Sequence, residues 1–145
     1  MIKFTKFLLV LSWMTLIFTS SAIAFPDADP ESQKELYDYV FDKDMHVLLF
    51  GGLSFLWCSF LCRYPLKFRA AVMWTLIFTF LYGLSDEYHQ LFVPGREASA
   101  YDLLFDVIGG LGGVVLYMVW AEAKESTLLT RKHAREFHVR GGVYT

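Results

Sequence analysis

The sequence predicts an all-α, polytopic transmembrane bundle of four helices with both termini on the cytoplasmic side. Three observations carry this. Hydrophobic residues make up 55% of the 145-residue chain. They are gathered into blocks of membrane-spanning length, and basic and acidic stretches alternate between the blocks. Soluble domains are usually about 45–50% apolar, and the mean hydropathy here is positive. The length suits one domain spanning the whole chain.

A hydrocarbon core of about 30 Å takes roughly 20 apolar residues per helix. Four segments meet that need. The first runs from about Phe7 to Ala24, the second from about Met45 to Cys62, and the third from about Phe68 to Leu84, continuing as helix through Gln90. The fourth runs from about Leu103 to Ala121 and leaves 122–145 as a cytoplasmic tail. The first segment has a second reading. Lys3 and Lys6 precede it and Ala22-Ile23-Ala24 looks like a small-residue cleavage site, so a cleaved signal peptide would leave three helices. The apolar stretch is at the long end for a signal peptide, and the retained helix supplies a fourth wall. Between the first two segments, Glu31 to Val40 has Leu36, Tyr37 and Val40 on one side and reads as either a short interfacial helix or a solvated connector.

Orientation follows from lysine and arginine in short loops. Lys3 and Lys6 precede the first segment; Arg63, Lys67 and Arg69 lie between the second and third; Lys124, Arg131, Lys132, Arg135 and Arg140 follow the fourth. The other two loops hold only Lys34, Lys43 and Arg96, and the first of them is acidic, with Asp27, Asp29, Glu31, Glu35, Asp38 and Asp42. With four spans the basic intervals share the cytoplasmic side. The net charge of −2 gives no reason to expect nucleic acid. Cys58 and Cys62 are the only cysteines; on an apolar segment near the cytoplasmic end they read as small packing residues rather than a disulfide or metal pair.

Three groups of chemically able residues converge on the outer face. Asp42-Lys43-x-x-His46 enters the second segment, Asp86-Glu87-x-x-Gln90 leaves the third, and Pro94-Gly95-Arg96-x-x-Ser99-x-x-Asp102-x-x-x-Asp106 turns into the fourth. Asp42 and His46 are i, i+4, and Glu87 and Gln90 are i, i+3, so each pair shares a helix face. Asp102, Asp106, Gly109 and Gly113 form one stripe of the fourth segment. Gly109 and Gly113 make a small-xxx-small pattern that admits a neighbouring helix, which turns both aspartates into the bundle. An aspartate at a helix centre costs about 2.5–3.5 kcal/mol to insert, and less near the interface. Lys43, Arg96 and a protonated His46 are the available counter-charges, and the Arg96 fork suits carboxylate or phosphate. Pro94-Gly95 is a turn signal, and Ser99 is placed to cap the fourth helix. His89 points away from the Glu87/Gln90 face and is expected at the interface; His133 and His138 lie in the charged tail. His46, Glu87, Asp102 and Asp106 offer nitrogen and oxygen ligands, but no spacing is a specific zinc pattern, and no metal is assigned.

In their order and spacing these residues resemble the VanZ-like family. The family's D-K-x-x-H element corresponds to Asp42-Lys43-Asp44-Met45-His46, and its acidic residue with Gln to Glu87-Tyr88-His89-Gln90. Its P-x-R corresponds to Pro94-Gly95-Arg96, followed by Ser99 and Asp102, and its glycine-rich last helix to Gly109-Gly110 and Gly112-Gly113. The resemblance covers roughly Asp42 to Leu116. The family often has Asn where this chain has Asp106, which adds an acid. The resemblance implies an integral membrane protein, in the namesake linked to low-level resistance to the glycopeptide teicoplanin, which acts at the cell envelope. It carries over no settled catalytic activity, and it leaves the cofactor unassigned.

Taken together, the expectation is a protein of the bacterial cytoplasmic membrane that binds or modifies a lipid or lipid-linked anionic substrate at the outer leaflet. His46, Glu87, Asp102 and Asp106 are the catalytic candidates. Lys43, Gln90, Arg96 and Ser99 are the substrate-binding ones, and Asp42, Pro94, Gly95, Gly109 and Gly113 are structural. Two other classes stay open: a non-enzymatic bundle whose polar residues form an ion-pair network or meet a partner, and a small transporter using the acids as a proton relay.

Overall fold

In a computed structural model, residues 1–23, 34–94, 96 and 98–141 are described, with the helical backbone alone at 34–42 and 133–141. The acidic residues from Asp27 to Glu31, the Asp42 side chain and Gly95 lie outside the described set, as do the His133 and His138 side chains. The chain forms α1 (Ile2–Ser21), α2 (Lys34–Leu61), α3 (Phe68–Gln90) and α4 (Ala100–Gly141). Each contains a stretch long and apolar enough to cross a membrane: Ile2–Ser21, Lys43–Leu61, Phe68–Gln90 and Ala100–Lys132. No described residue is in a strand.

The helices run past the apolar blocks that announce them. α1 starts at Ile2 rather than near Phe7, because lysines at a helix end can lay their stems along the bundle and keep their heads polar. Lys3 Nζ sits 4.4 Å from the Tyr64 ring centroid, and Lys6 donates to Ser59 Oγ. The stretch read as a separate interfacial helix or connector is instead the first part of α2 from Lys34 onward. No Gly or Pro occurs between Lys34 and Phe50, so nothing breaks the helix before the membrane. α4 likewise continues through the charged tail to Gly141, where Ala, Glu, Lys, Leu and Arg predominate and favour helix.

α2 and α4 make the most extensive contact in the bundle, and glycines allow it. A Cβ on Gly109 would collide with the Val47 backbone, and one on Gly113 with the Gly51 carbonyl; one on Gly51 would lie 3.2 Å from Gly109 O. Without side chains at these points the two backbones meet directly. α1 closes the opposite side through an apolar core of Val10, Ile17, Phe50 and Leu53, flanked by Trp13, Met14 and Tyr82. Two polar ties fix it: Trp13 Nε1 donates to Leu49 O at 2.8 Å and the Tyr82 hydroxyl to Met14 O at 2.5 Å. Ser54 and Thr79 share a buried hydroxyl bond of 3.1 Å between α2 and α3.

The outer surface is apolar. Leu8, Leu16, Leu48, Trp74, Phe80, Leu81, Ile108, Leu111, Val115 and Val119 are exposed, while Asp86, Glu87, Gln90, Asp102 and Asp106 are buried. That is the reverse of a soluble protein and the arrangement a hydrocarbon solvent demands.

Candidate functional site

The buried ionisable residues among those described, with Gln90, occupy one end of the bundle, at the membrane-entering part of α2, the N-terminal part of α4 and the C-terminal end of α3. Their sequence positions explain this: each stands at the edge of an apolar run, so the length of the run places all of them in one layer.

Lys43 and Asp102 form an ion pair between α2 and α4. One turn along, His46 Nδ1 and Asp106 Oδ1 are 2.8 Å apart; an ionised Asp106 only accepts, and in that state Nδ1 carries the proton. His46 Nε2 stands 3.9 Å from Asp102 Oδ2. The ring lies parallel to Phe50, with centroids 6.2 Å apart. Asp106 fits because α3 has no side chain opposite it: a Cβ on Gly83 would lie 2.8 Å from Asp106 Oδ2.

α3 supplies the other half. Asp86 Oδ2 accepts from Ser21 Oγ at 2.8 Å and from Gln90 Nε2 at 3.1 Å. Glu87 Oε2 accepts the backbone N–H of Ser99 at 2.7 Å. Ser99 Oγ accepts the Tyr101 N–H at 3.2 Å, so Ser99 caps α4 and its own amide fastens that cap to α3. Within this cluster four buried oxygens have no described hydrogen-bond partner: Asp86 Oδ1, Glu87 Oε1, Gln90 Oε1 and Asp106 Oδ2. Native structures rarely leave such atoms unpaired, because each costs about 1–3 kcal/mol.

The structure thus gathers Lys43, His46, Glu87, Gln90, Asp102 and Asp106, with Ser99 at the edge. Pro94 is exposed and sits second in a turn closed by Arg96 N–H on Val93 O at 3.1 Å. Arg96 is half-buried in that connector. Gly109 and Gly113 lie below the cluster, at the α2–α4 contact. Asp102 is held by Lys43.

Two participants received no role from sequence. Asp86, 3% exposed, is as central as Glu87; its i, i+4 spacing to Gln90 was the available signal. Ser21 is one of several Ser and Thr residues at the end of α1, and nothing in the sequence distinguishes it. His89 is half-buried and stacks on Phe18 of α1, with centroids 4.1 Å apart. Cys58 and Cys62 are free thiols toward the other end, where a cavity of about 280 Å³ is lined by Cys62, Arg63, Tyr117, Trp120 and Lys124 among others.

Chemically, the cluster offers an imidazole oriented by a carboxylate, three further carboxylates and a lysine. It suits proton transfer, and the ligand atoms of His46, Asp86 and Glu87, all within 4.8 Å of one another, suit a cation. No curated protein and no solved structure matches the chain. A family model described as VanZ/LLP1 matches residues 6–121, a span that takes in most of α1 and every member of the cluster. Four membrane-spanning helices with these residues in this order, matched over most of the chain, make the protein an integral membrane protein of the VanZ-like family.

Proposed function

We propose that this protein acts at the outer face of a bacterial cytoplasmic membrane, where the polar cluster binds and transforms a lipid or lipid-linked anionic substrate of the cell envelope. One observation carries the reading. Four buried oxygens in a single layer lack a described partner, although the same residues hold their other polar atoms in good hydrogen bonds. A network evolved only to lock helices satisfies its members. Buried, oriented and incompletely paired acids beside a histidine are the arrangement expected of a working site. Arg96, half-buried in the connector above the cluster, suits an anionic headgroup arriving from the leaflet. The alternation of basic and acidic loops supports an orientation with both termini in the cytoplasm; cysteines placed at Gly95 and Lys67 should label from opposite sides.

The test pairs phenotype with folding. Glu87→Gln and Asp86→Asn are introduced into cells lacking the native protein, and teicoplanin susceptibility and the envelope lipid profile by mass spectrometry are recorded beside thermal unfolding in detergent. Variants that fold normally yet shift the lipid profile or susceptibility to that of the deletion support the reading. Folded variants indistinguishable from wild type overturn it. The ion pairs joining α2 to α4, Lys43 with Asp102 and His46 with Asp106, favour a second, structural reading. On that reading the variants change stability alone.

A further inference from the structure

We propose that His46, Asp86 and Glu87 bind one divalent metal ion of the kind that takes mixed nitrogen and oxygen ligands, Mn²⁺ or Zn²⁺. The proposal deepens the functional reading above: it rests on that reading for the substrate, and on geometry alone for the binding.

The ligand atoms lie within 4.8 Å of one another. Ligands about 2.0–2.2 Å from one ion stand roughly 3–4.4 Å apart, so a small contraction closes the set. Proximity among acids would not suffice. The second observation is how each ligand is held. His46 uses Nδ1 on Asp106 at 2.8 Å, which makes Nε2 the nitrogen a metal takes. Asp86 uses Oδ2 on Ser21 and Gln90, and its Oδ1 has no described partner although the residue is 3% exposed. Glu87 uses Oε2 on the Ser99 amide, and its Oε1 is unpartnered at 8% exposure. In both carboxylates one oxygen is anchored by a supporting bond and the other, buried, has no described partner. Metal ligands are positioned in this way: a histidine gives its second N–H to a carboxylate, and ligating carboxylates are themselves hydrogen-bonded.

Charge points the same way. Lys43 is engaged by Asp102, while Asp86 and Glu87 face each other's charge in a medium that screens little. A divalent ion offsets both. It also resolves how an anionic substrate approaches a ring of acids, since the ion rather than Lys43 draws it in. His46 is then a ligand, and imidazole with carboxylates fits Mn²⁺ or Zn²⁺ better than Mg²⁺. No sequence motif flags the site, because consecutive helical residues do not normally face one another and the third ligand comes from another helix.

The test uses the full chain in nanodiscs, stripped with chelator and titrated with Mn²⁺ under electron paramagnetic resonance, with Zn²⁺ as competitor. One ion per chain is expected, with hyperfine coupling to a histidine nitrogen that disappears in His46→Ala. Asp86→Asn and Glu87→Gln should each weaken binding at least tenfold. Ser21→Ala, which removes only a supporting bond, should weaken it about 10–100-fold and remains readable if a ligand variant fails to fold. Glu125→Gln, beside Cys62 and Arg63 at the opposite end of the bundle, should leave binding unchanged. Absence of stoichiometric binding, or binding indifferent to Asp86→Asn and Glu87→Gln in folded protein, overturns the proposal. Ion binding as described with an unaltered lipid profile in the folded variants keeps the site and refutes the functional reading; a lipid phenotype without ion binding does the reverse.

Discussion

Removing Lys43 separates a buried ion pair from a superficial one. The Lys43 and Asp102 side chains are 11% and 5% exposed, so Lys43→Met leaves Asp102 carrying charge with little water to solvate it. Breaking a buried pair from one side costs about 3–5 kcal/mol, whereas an exposed pair is worth about 0.2–1 kcal/mol. His46 Nε2, 3.9 Å from Asp102 Oδ2, can take over part of the interaction, which puts the expected loss near the lower end, at about 3 kcal/mol. The partner substitution decides the cause. Lys43→Met with Asp102→Leu removes both charges, and apolar replacement of a whole buried pair is often neutral, so the double variant should regain most of the loss. Unfolding in mixed micelles as the denaturing detergent fraction rises gives both numbers, read by tryptophan fluorescence, since Trp13 and Trp57 pack against the core. A loss below about 1 kcal/mol for Lys43→Met would place the pair among exposed ones and refute the buried-pair argument. So would a double variant no more stable than the single.

Two further outcomes use the same unfolding measurement. Gly113→Ala drives a methyl into the Gly51 carbonyl and should cost about 1–3 kcal/mol as overpacking, while Gly112→Ala, which meets nothing within 4 Å, should be neutral or slightly stabilising; equal effects would dismiss the close α2–α4 contact. Ser99→Ala removes the Oγ bond to the Tyr101 amide but keeps the backbone bond to Glu87, so it should cost about 1 kcal/mol, the value of an N-cap; a loss several times larger would show that the side chain does more than cap α4.

The sequence by itself located four apolar helical segments and the ends of those segments at which the polar residues lie. Both follow from one dimension: an apolar run of about 20 residues spans the hydrocarbon, and a charge at its edge is held at that edge. The stripe of Asp102, Asp106, Gly109 and Gly113 was legible for a similar reason, since helical spacing alone puts them on one face. Helix ends were less legible because a hydropathy pattern stops where the lipid does, whereas α2 and α4 continue until something breaks the backbone. The partners were decided only in three dimensions. Arg96 and Lys43 are equally plausible counter-ions for Asp102 on paper; the glycine contact between α2 and α4 sets the rotation and separation of those helices and gives Asp102 to Lys43. Asp86 could be ranked with Glu87 only once α1 brought Ser21 against it. Side chains 65 residues apart in the chain meet through helix packing, a property of the surfaces in contact that no local spacing encodes.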